Sequence, residues 1–358
     1  MNKIRPLILS LLFIGVTSTV FAEEPRIPVG MILPLSGDFA VIGSDCKQGI
    51  DLALREFGGG APIDLIYGDS KGDPMTAVGE FRKLAASDHV AGVFAFRGPV
   101  GMALNPIARQ AKIPLLGGVG NKSFAASSSY AFQIWAPSDA EGSFIAVEML
   151  RRGHKTVALV TTEDDWTVSV SDSFRSAFQA GGGKVLTDQS LSAKDGDYRT
   201  LITQIKKSNP ESIFVNLGIA QIGPFLRQLK EQGIGKPVFS NFWSAKKDVL
   251  SVAGDAAEGV LFSEMSLAEM PKFQKEIAAA GGGHASGATL SAYVATKLLL
   301  QAAQALKSDR SSTALYQALL AQPSVVLTDL SLKIKDRVVE FPLVMKVIKD
   351  GRSVPSPF

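Results

Sequence analysis

The chain has 358 residues, 46% of them hydrophobic and 20% charged, with a net charge of +3. That length and apolar content support a sizeable core divided over two lobes and exclude a fibrous or disordered chain. The basic residues are scattered, without clustered Lys/Arg and interleaved aromatics, which excludes a nucleic-acid surface.

Lys3 and Arg5, the apolar run Leu7 to Val16 and the small residues ending Val20-Phe21-Ala22 make up the three parts of a secretory signal peptide. Cleavage is expected after Ala22, leaving a mature chain that starts Glu23-Glu24. The run is too short to span a bilayer of about 30 Å comfortably, and no later stretch of about twenty apolar residues occurs. Cys46 is the only cysteine. It rules out an intramolecular disulfide and a cysteine-based zinc site, and it reads as a small semi-buried residue at a helix start rather than a reactive thiol.

From Ile27 onward, strand-like and helix-like segments alternate. Ile27 to Pro34 is a strand, after which Ile50, Ala53, Leu54 and Phe57 form the stripe of an amphipathic helix. Strands follow at Ile63 to Tyr67, Val90 to Phe96 and Pro114 to Leu116, separated by helices at Met75 to Ala86 and Met102 to Ala111. A second run begins after Trp135-Ala136-Pro137-Ser138. Its strands are Thr156 to Val160, Lys184 to Leu191, Ser212 to Asn216, Pro237 to Ser240 and Gly259 to Ser263, with helices near Val168 to Ala180, Tyr198 to Lys207 and Gly223 to Gln232. Such βα runs form parallel sheets covered by helices, because a parallel crossover needs a helix-length connection. "FGGGAPIDL" and "AGGGKVLTD" follow the first helix of each run, where glycine ends the helix. Leu290 to Ala305 is again helical, and the tail from Val325 to Ile348 alternates like strands. The expected fold is α/β with two Rossmann-like lobes. Lobe one comprises 23–138 plus 265–325, and lobe two 139–264 plus 326–358, so the crossing segments act as a hinge.

In open α/β sheets ligands bind beyond the carboxyl ends of the strands. The loops there are Ser36 to Gly43, Arg97 to Gly101, Gly117 to Asn121, Glu163 to Thr167, Gly218 to Gln221 and Asn241 to Ser244. None carries a phosphate loop; "GGVGNKSF" has the residue types with the wrong spacing. The three histidines, His89, His154 and His284, lie away from the strand-to-helix loops, and neither G-x-S-x-G nor H-E-x-x-H occurs. The adjacent carboxylates Glu163, Asp164 and Asp165 suit a helix N-terminus better than catalysis, although a hydrolase built on Asp164 or Asp165 stays as a rival. The loops therefore describe a binding protein with no enzymatic apparatus, cofactor or metal.

The motif order "IPVGMILPLSGDFAVIGSDCKQGIDLALREF", "GDSKGDPMTAVGEFRKLAASDHVAGVFAF", "IARQAKIPLLGG", "YAFQIWAPSDAEG" and "AGDAAEGVLF" resembles the type I periplasmic solute-binding proteins of the leucine/isoleucine/valine-binding group, from about Ile27 to Ala305. The resemblance implies a three-segment hinge, closure on a small ligand, a periplasmic location, a monomer and delivery to an ABC-type permease. The loop that grips an amino-acid carboxylate falls on Gly98, Pro99, Val100 and Gly101, where the family's serines are missing. A second first-lobe loop falls on Val119, Gly120 and Asn121, with Asn121 in the place of a ligand-binding threonine, and the N–H groups of Gly118 to Gly120 are expected to hold the ligand's polar end. The stacking aromatic corresponds to Trp166, and another contact lies near Gly218 and Ile219. The acidic partner of a ligand ammonium would fall at Phe242 or Trp243, and neither is charged. An unpaired buried ammonium costs several kcal/mol. The expectation is therefore a carboxylate with an apolar or aromatic body, held by Arg97, with Ser36 and Phe39 on the cleft rim. A branched-chain or other aliphatic amino acid, with Asp164 or Asp165 taking the ammonium, is the alternative, and a ligand-sensing input for a receptor is another. Arg97 has a second use open to it, a salt bridge across the hinge, and Phe242 has one in the lobe core.

Overall fold

The computed structural model describes residues 26–267, 270–281, 285–306 and 308–357. The signal peptide, its cleavage site and His284 lie outside the described residues.

The first run folds as β1 (Ile27–Leu33), α1 (Ala40–Phe57), β2 (Ile63–Asp69), α2 (Pro74–Ala86), β3 (Gly92–Phe96), α3 (Gly98–Ala111), β4 (Leu115–Gly118), the short α4 (Ser123–Ala126) and β5 (Ala131–Gln133). The second continues with α5 (Ser138–Arg151), β6 (Thr156–Thr162), α6 (Asp165–Ala180), β7 (Lys184–Leu191), α7 (Arg199–Ser208), β8 (Ser212–Asn216), α8 (Ile219–Glu231), β9 (Val238–Ser240), α9 (Lys247–Ala253) and β10 (Leu261–Met265). Helices α10 (Pro271–Ala279), α11 (Gly287–Gln304) and α12 (Ser312–Leu320) follow, then β11 (Ser324–Val326), β12 (Ser331–Lys335), β13 (Val338–Val339), β14 (Leu343–Lys349) and β15 (Arg352–Pro355).

Among the described residues the strands form two sheets, ordered β11-β12-β13-β5-β4-β3-β1-β2 and β15-β14-β10-β9-β8-β6-β7. Within each, the strands of the βα run pair in parallel. β3 is buried at every position, as a central parallel strand covered on both faces must be, while the edge strand β7 alternates between half-buried and exposed. α1 ends at Phe57 before Gly58 (φ +86°), and α6 ends at Ala180 shortly before Gly182 (φ +87°), the two stops that the glycine runs imply.

The chain crosses between lobes at 134–137, again from Ser266 onward, and at 340–342. The last crossing lies beyond the expected boundary at 325/326. β12 and β13 hydrogen-bond into the first sheet, with Val338 opposite Gln133, so the residues up to Val339 stay with lobe one. Only β14, antiparallel to β10, joins lobe two. The second and third crossings run side by side, with Ser266 N–H donating to Pro342 O at 2.7 Å.

Candidate functional site

The cleft between the lobes is built from the carboxyl ends of both sheets. On lobe one, β3 runs into α3 through Arg97, whose φ of +93° is a conformation that side-chain-bearing residues rarely adopt. α3 begins at Gly98, so the stretch Gly98 to Gly101 expected as a loop is its first turn; Pro99 fits there because a first-turn residue needs no N–H partner. No side chain caps this helix. Its first-turn N–H groups, those of Gly98 and Val100 among them, are left for solvent or an anion. The Val100 and Val119 side chains are fully buried in the lobe-one core, so only their backbone serves the cleft.

Arg97 makes no ion pair among the described residues, across the hinge or elsewhere. Its Nη1 donates to Gly72 O at 2.7 Å and its guanidinium lies 3.5 Å from the centre of the Phe39 ring. Burial pulls the guanidinium pKa downward without neutralising it. A Cβ on Gly72 would sit 2.6 Å from both Arg97 Nη1 and Phe39 Cδ2, so glycine is required under this stack. Phe39 thus lies on Arg97 at the rim. Exposed Ser36 donates to Asp69 Oδ2 at 2.5 Å, which fixes the β1–α1 loop.

Four aromatic rings run through the cleft from one lobe to the other. Phe96 meets Trp135 edge-on at 5.7 Å, Trp135 meets Phe242 at 5.5 Å, and Phe242 meets Trp166 at 5.4 Å; Trp243 packs on Phe242 at 4.4 Å. Gly120 brings a second part of lobe one against this series. A Cβ there would stand 2.6 Å from Trp166 Nε1 and 3.2 Å from Trp135 Cδ1. Phe242 is half-buried and packs against both lobe cores as well as the rings. Phe96 and Trp135 were not among the expected site residues. The signal for Trp135 was present, an aromatic in the segment that links the two runs.

A buried polar network fixes the lobe-two loops. Asp164 caps α6, its Oδ1 accepting from Trp166 N at 3.0 Å and Thr167 N at 3.1 Å. Asn216 Nδ2 donates to Thr167 O at 2.8 Å, and Asn241 Nδ2 donates to Asn216 Oδ1 at 3.0 Å while Asn241 Oδ1 accepts from Trp243 N. Trp166 and Trp243 therefore stand on one connected scaffold. The network consumes groups expected to meet ligand: Asp164 is a cap, and Gly218 N–H donates to Thr162 Oγ1 at 2.8 Å. Asn121 is similarly committed, its Oδ1 starting α4 by accepting from Ser123 N at 2.9 Å and Ser123 Oγ at 2.8 Å. Asp165 and Ile219 are exposed at the starts of α6 and α8.

Behind the rings lies a cavity lined by Phe96, Trp135, Phe242 and Trp243 together with Asp45, Glu141, Lys246 and Glu264. Glu141, in the first turn of α5, is 3% exposed and accepts from Ser263 Oγ at 2.9 Å. Burial pushes its pKa up to about 7. Sequence spacing gave no sign of it, since an acidic residue in a helix's first turn ordinarily faces solvent.

Residues 26–337 match the family model described as periplasmic binding protein. A curated relative, Leu/Ile/Val-binding protein homolog 6 of Brucella melitensis, is 27% identical over 259 residues, covering 68% of this chain and 65% of the relative, so the match spans just under two thirds of that protein's length. Among solved structures, a leucine-binding protein from Thermotoga maritima superposes with a TM-score of 0.83 at 19% identity, covering 92% of this chain and 98% of that one. A solute-binding protein of an ABC transporter from R. palustris, in complex with benzoate, gives 0.79 at 22% identity, covering 92% and 95%. With the matched span running through both sheets and all but the last crossing, the chain belongs to the periplasmic binding protein family, in its type I, leucine/isoleucine/valine-binding group.

Proposed function

We propose that this chain is the solute-binding subunit of an ABC importer, non-enzymatic and exported to the periplasm, and that it closes on a small carboxylate with an aromatic body. The observation that carries the reading is the ring series from Phe96 through Trp135 and Phe242 to Trp166, which starts one residue from Arg97. Arg97 and the uncapped start of α3 both favour an anion, and aromatic faces give much contact area at little entropy cost. That the R. palustris protein was solved with benzoate supports the same ligand class. Closure follows from differential affinity: a ligand touching both lobes stabilises only the closed arrangement.

An aliphatic amino acid is the second reading, supported by the Brucella and Thermotoga proteins' names. With Asp164 engaged as a cap, Asp165 is the one of those two aspartates left to meet an ammonium. Thermal unfolding of the chain lacking residues 1–22, after refolding to strip carried-over solute, separates the two. A ligand of the native state adds RT ln(1 + [L]/Kd), about 2.7 kcal/mol at a hundredfold excess over Kd. The expected result is stabilisation by benzoate and none by leucine; the reverse overturns the carboxylate reading and installs the amino acid.

A further inference from the structure

The cavity behind Trp135 and Phe242 is unusual in what its polar groups lack. Glu264 is neutralised by Lys346 at 2.5 Å, and Asp45, which accepts from Ser286 Oγ at 2.7 Å, is only half-buried, so water can complete its carboxylate. Two groups on the wall are left over. Glu141, from lobe two, accepts from Ser263 Oγ on Oε1, and among the described residues it makes no ion pair and no second side-chain hydrogen bond. Lys246, just after the turn that carries Phe242 and Trp243, forms no ion pair among the described residues. A buried carboxyl with one hydrogen bond and no cation is costly to keep unless something else completes it.

We propose, resting on the aromatic-carboxylate reading, that this cavity is an inner subsite for a ring hydroxyl of the ligand, with Glu141 and Lys246 as its two hydrogen-bonding partners. The complementarity is chemical. Glu141 offers an acceptor and Lys246 a donor, and a hydroxyl is both donor and acceptor on one small atom. An ammonium would satisfy Glu141 but face Lys246 with like charge; a second carboxylate would satisfy Lys246 but face Glu141. The rings between the subsite and Arg97 are common to both ends, since Trp135 and Phe242 line the cavity and stand in the cleft series. Burial of Glu141, which keeps its carboxyl partly protonated near neutral pH, adds a second donor to the same place.

Isothermal titration of the chain lacking residues 1–22 with benzoate, 3-hydroxybenzoate, 4-hydroxybenzoate and 4-(aminomethyl)benzoate tests this. At least one hydroxybenzoate is expected to bind about tenfold more tightly than benzoate. That ratio is expected to fall toward one in Glu141→Leu and in Lys246→Met, the latter at a half-buried position that reads out the subsite even if the former fails to fold. Benzoate binding with no hydroxyl preference overturns the subsite and leaves the carboxylate reading standing. Tightest binding of the aminomethyl compound overturns it in favour of a cation site. Binding by none of the four overturns the carboxylate reading itself.

Discussion

Arg97 holds a backbone conformation at φ +93° that glycine would hold without strain, yet the residue is arginine. Such outliers cost about 1–3 kcal/mol and persist where the side chain is needed. Two substitutions separate the backbone from the charge. Both Arg97→Ala and Arg97→Gly remove the guanidinium, but only alanine keeps a Cβ at this φ, so the glycine variant should be more stable by about 1 kcal/mol in urea denaturation. Both should lose roughly ten- to a hundredfold in benzoate affinity, the span of a hydrogen bond to a charged partner. Equal affinity in wild type and both variants would show that Arg97 serves the rim alone, through Gly72 and Phe39.

At the scale of the element, α6 shows how a loop becomes a platform. Asp164 in extended conformation caps it, and Asn216 and Asn241 tie its first turn to the ends of β8 and β9. Asp164→Ala should cost about 1 kcal/mol of stability, the usual value of an N-cap. Because Trp166 N is one of the capped groups, the variant should also alter the tryptophan fluorescence of the native protein. The alternation of elements was legible in the sequence because interior parallel strands are continuous apolar runs and their helices keep a 3.6-residue stripe. Glu163 to Thr167 was legible as a helix start for the same local reasons. What was not legible depended on distant partners. Gly98-Pro99 signals a turn locally, yet it opens α3. The tail alternates like a strand whichever sheet it joins, and only its pairing with β5, far away in sequence, assigns β12 and β13 to lobe one. Glu141 reads as a solvated helix-start carboxylate until β10 and the hinge bury it against Ser263.

For the molecule as a whole, Glu141 couples folding to pH. Unfolded, it titrates near the ordinary 4.5, and folded near 7. Between those values the native state holds a proton that the unfolded chain has released. The Glu141 contribution is therefore most favourable below the lower value and declines as pH rises through both, by roughly 3 kcal/mol at 1.36 kcal/mol per unit. Asp45, Lys246 and Glu264 face the same cavity and set the background on which this slope is read. Chemical denaturation from pH 4.5 to 8 should show that decline in the wild type and a flatter profile in Glu141→Gln; parallel profiles would mean that the buried carboxyl is compensated by its neighbours.

Closure is the other property that belongs to both lobes, and Gly120 is its geometric test. The three crossings leave the lobes free to rotate about one another, so what limits closure is contact across the cleft. Trp166 of lobe two approaches the Gly120 backbone so closely that a methyl group there would lie 2.6 Å from the indole nitrogen. Cores on either side are packed, and Trp166, its backbone N–H held by Asp164 and its ring packed edge-on against Phe242, has little room to retreat. Gly120→Ala should therefore hold the lobes apart while leaving each lobe folded. Small-angle scattering with saturating ligand should show the radius of gyration falling in the wild type and also in Arg97→Ala, which weakens binding but leaves the path open. In Gly120→Ala it should stay at the ligand-free value, with weakened binding to match. If Gly120→Ala closes as the wild type does, Trp166 moves aside during closure, and the contact with Gly120 is a feature of one arrangement of the lobes rather than the stop that defines it.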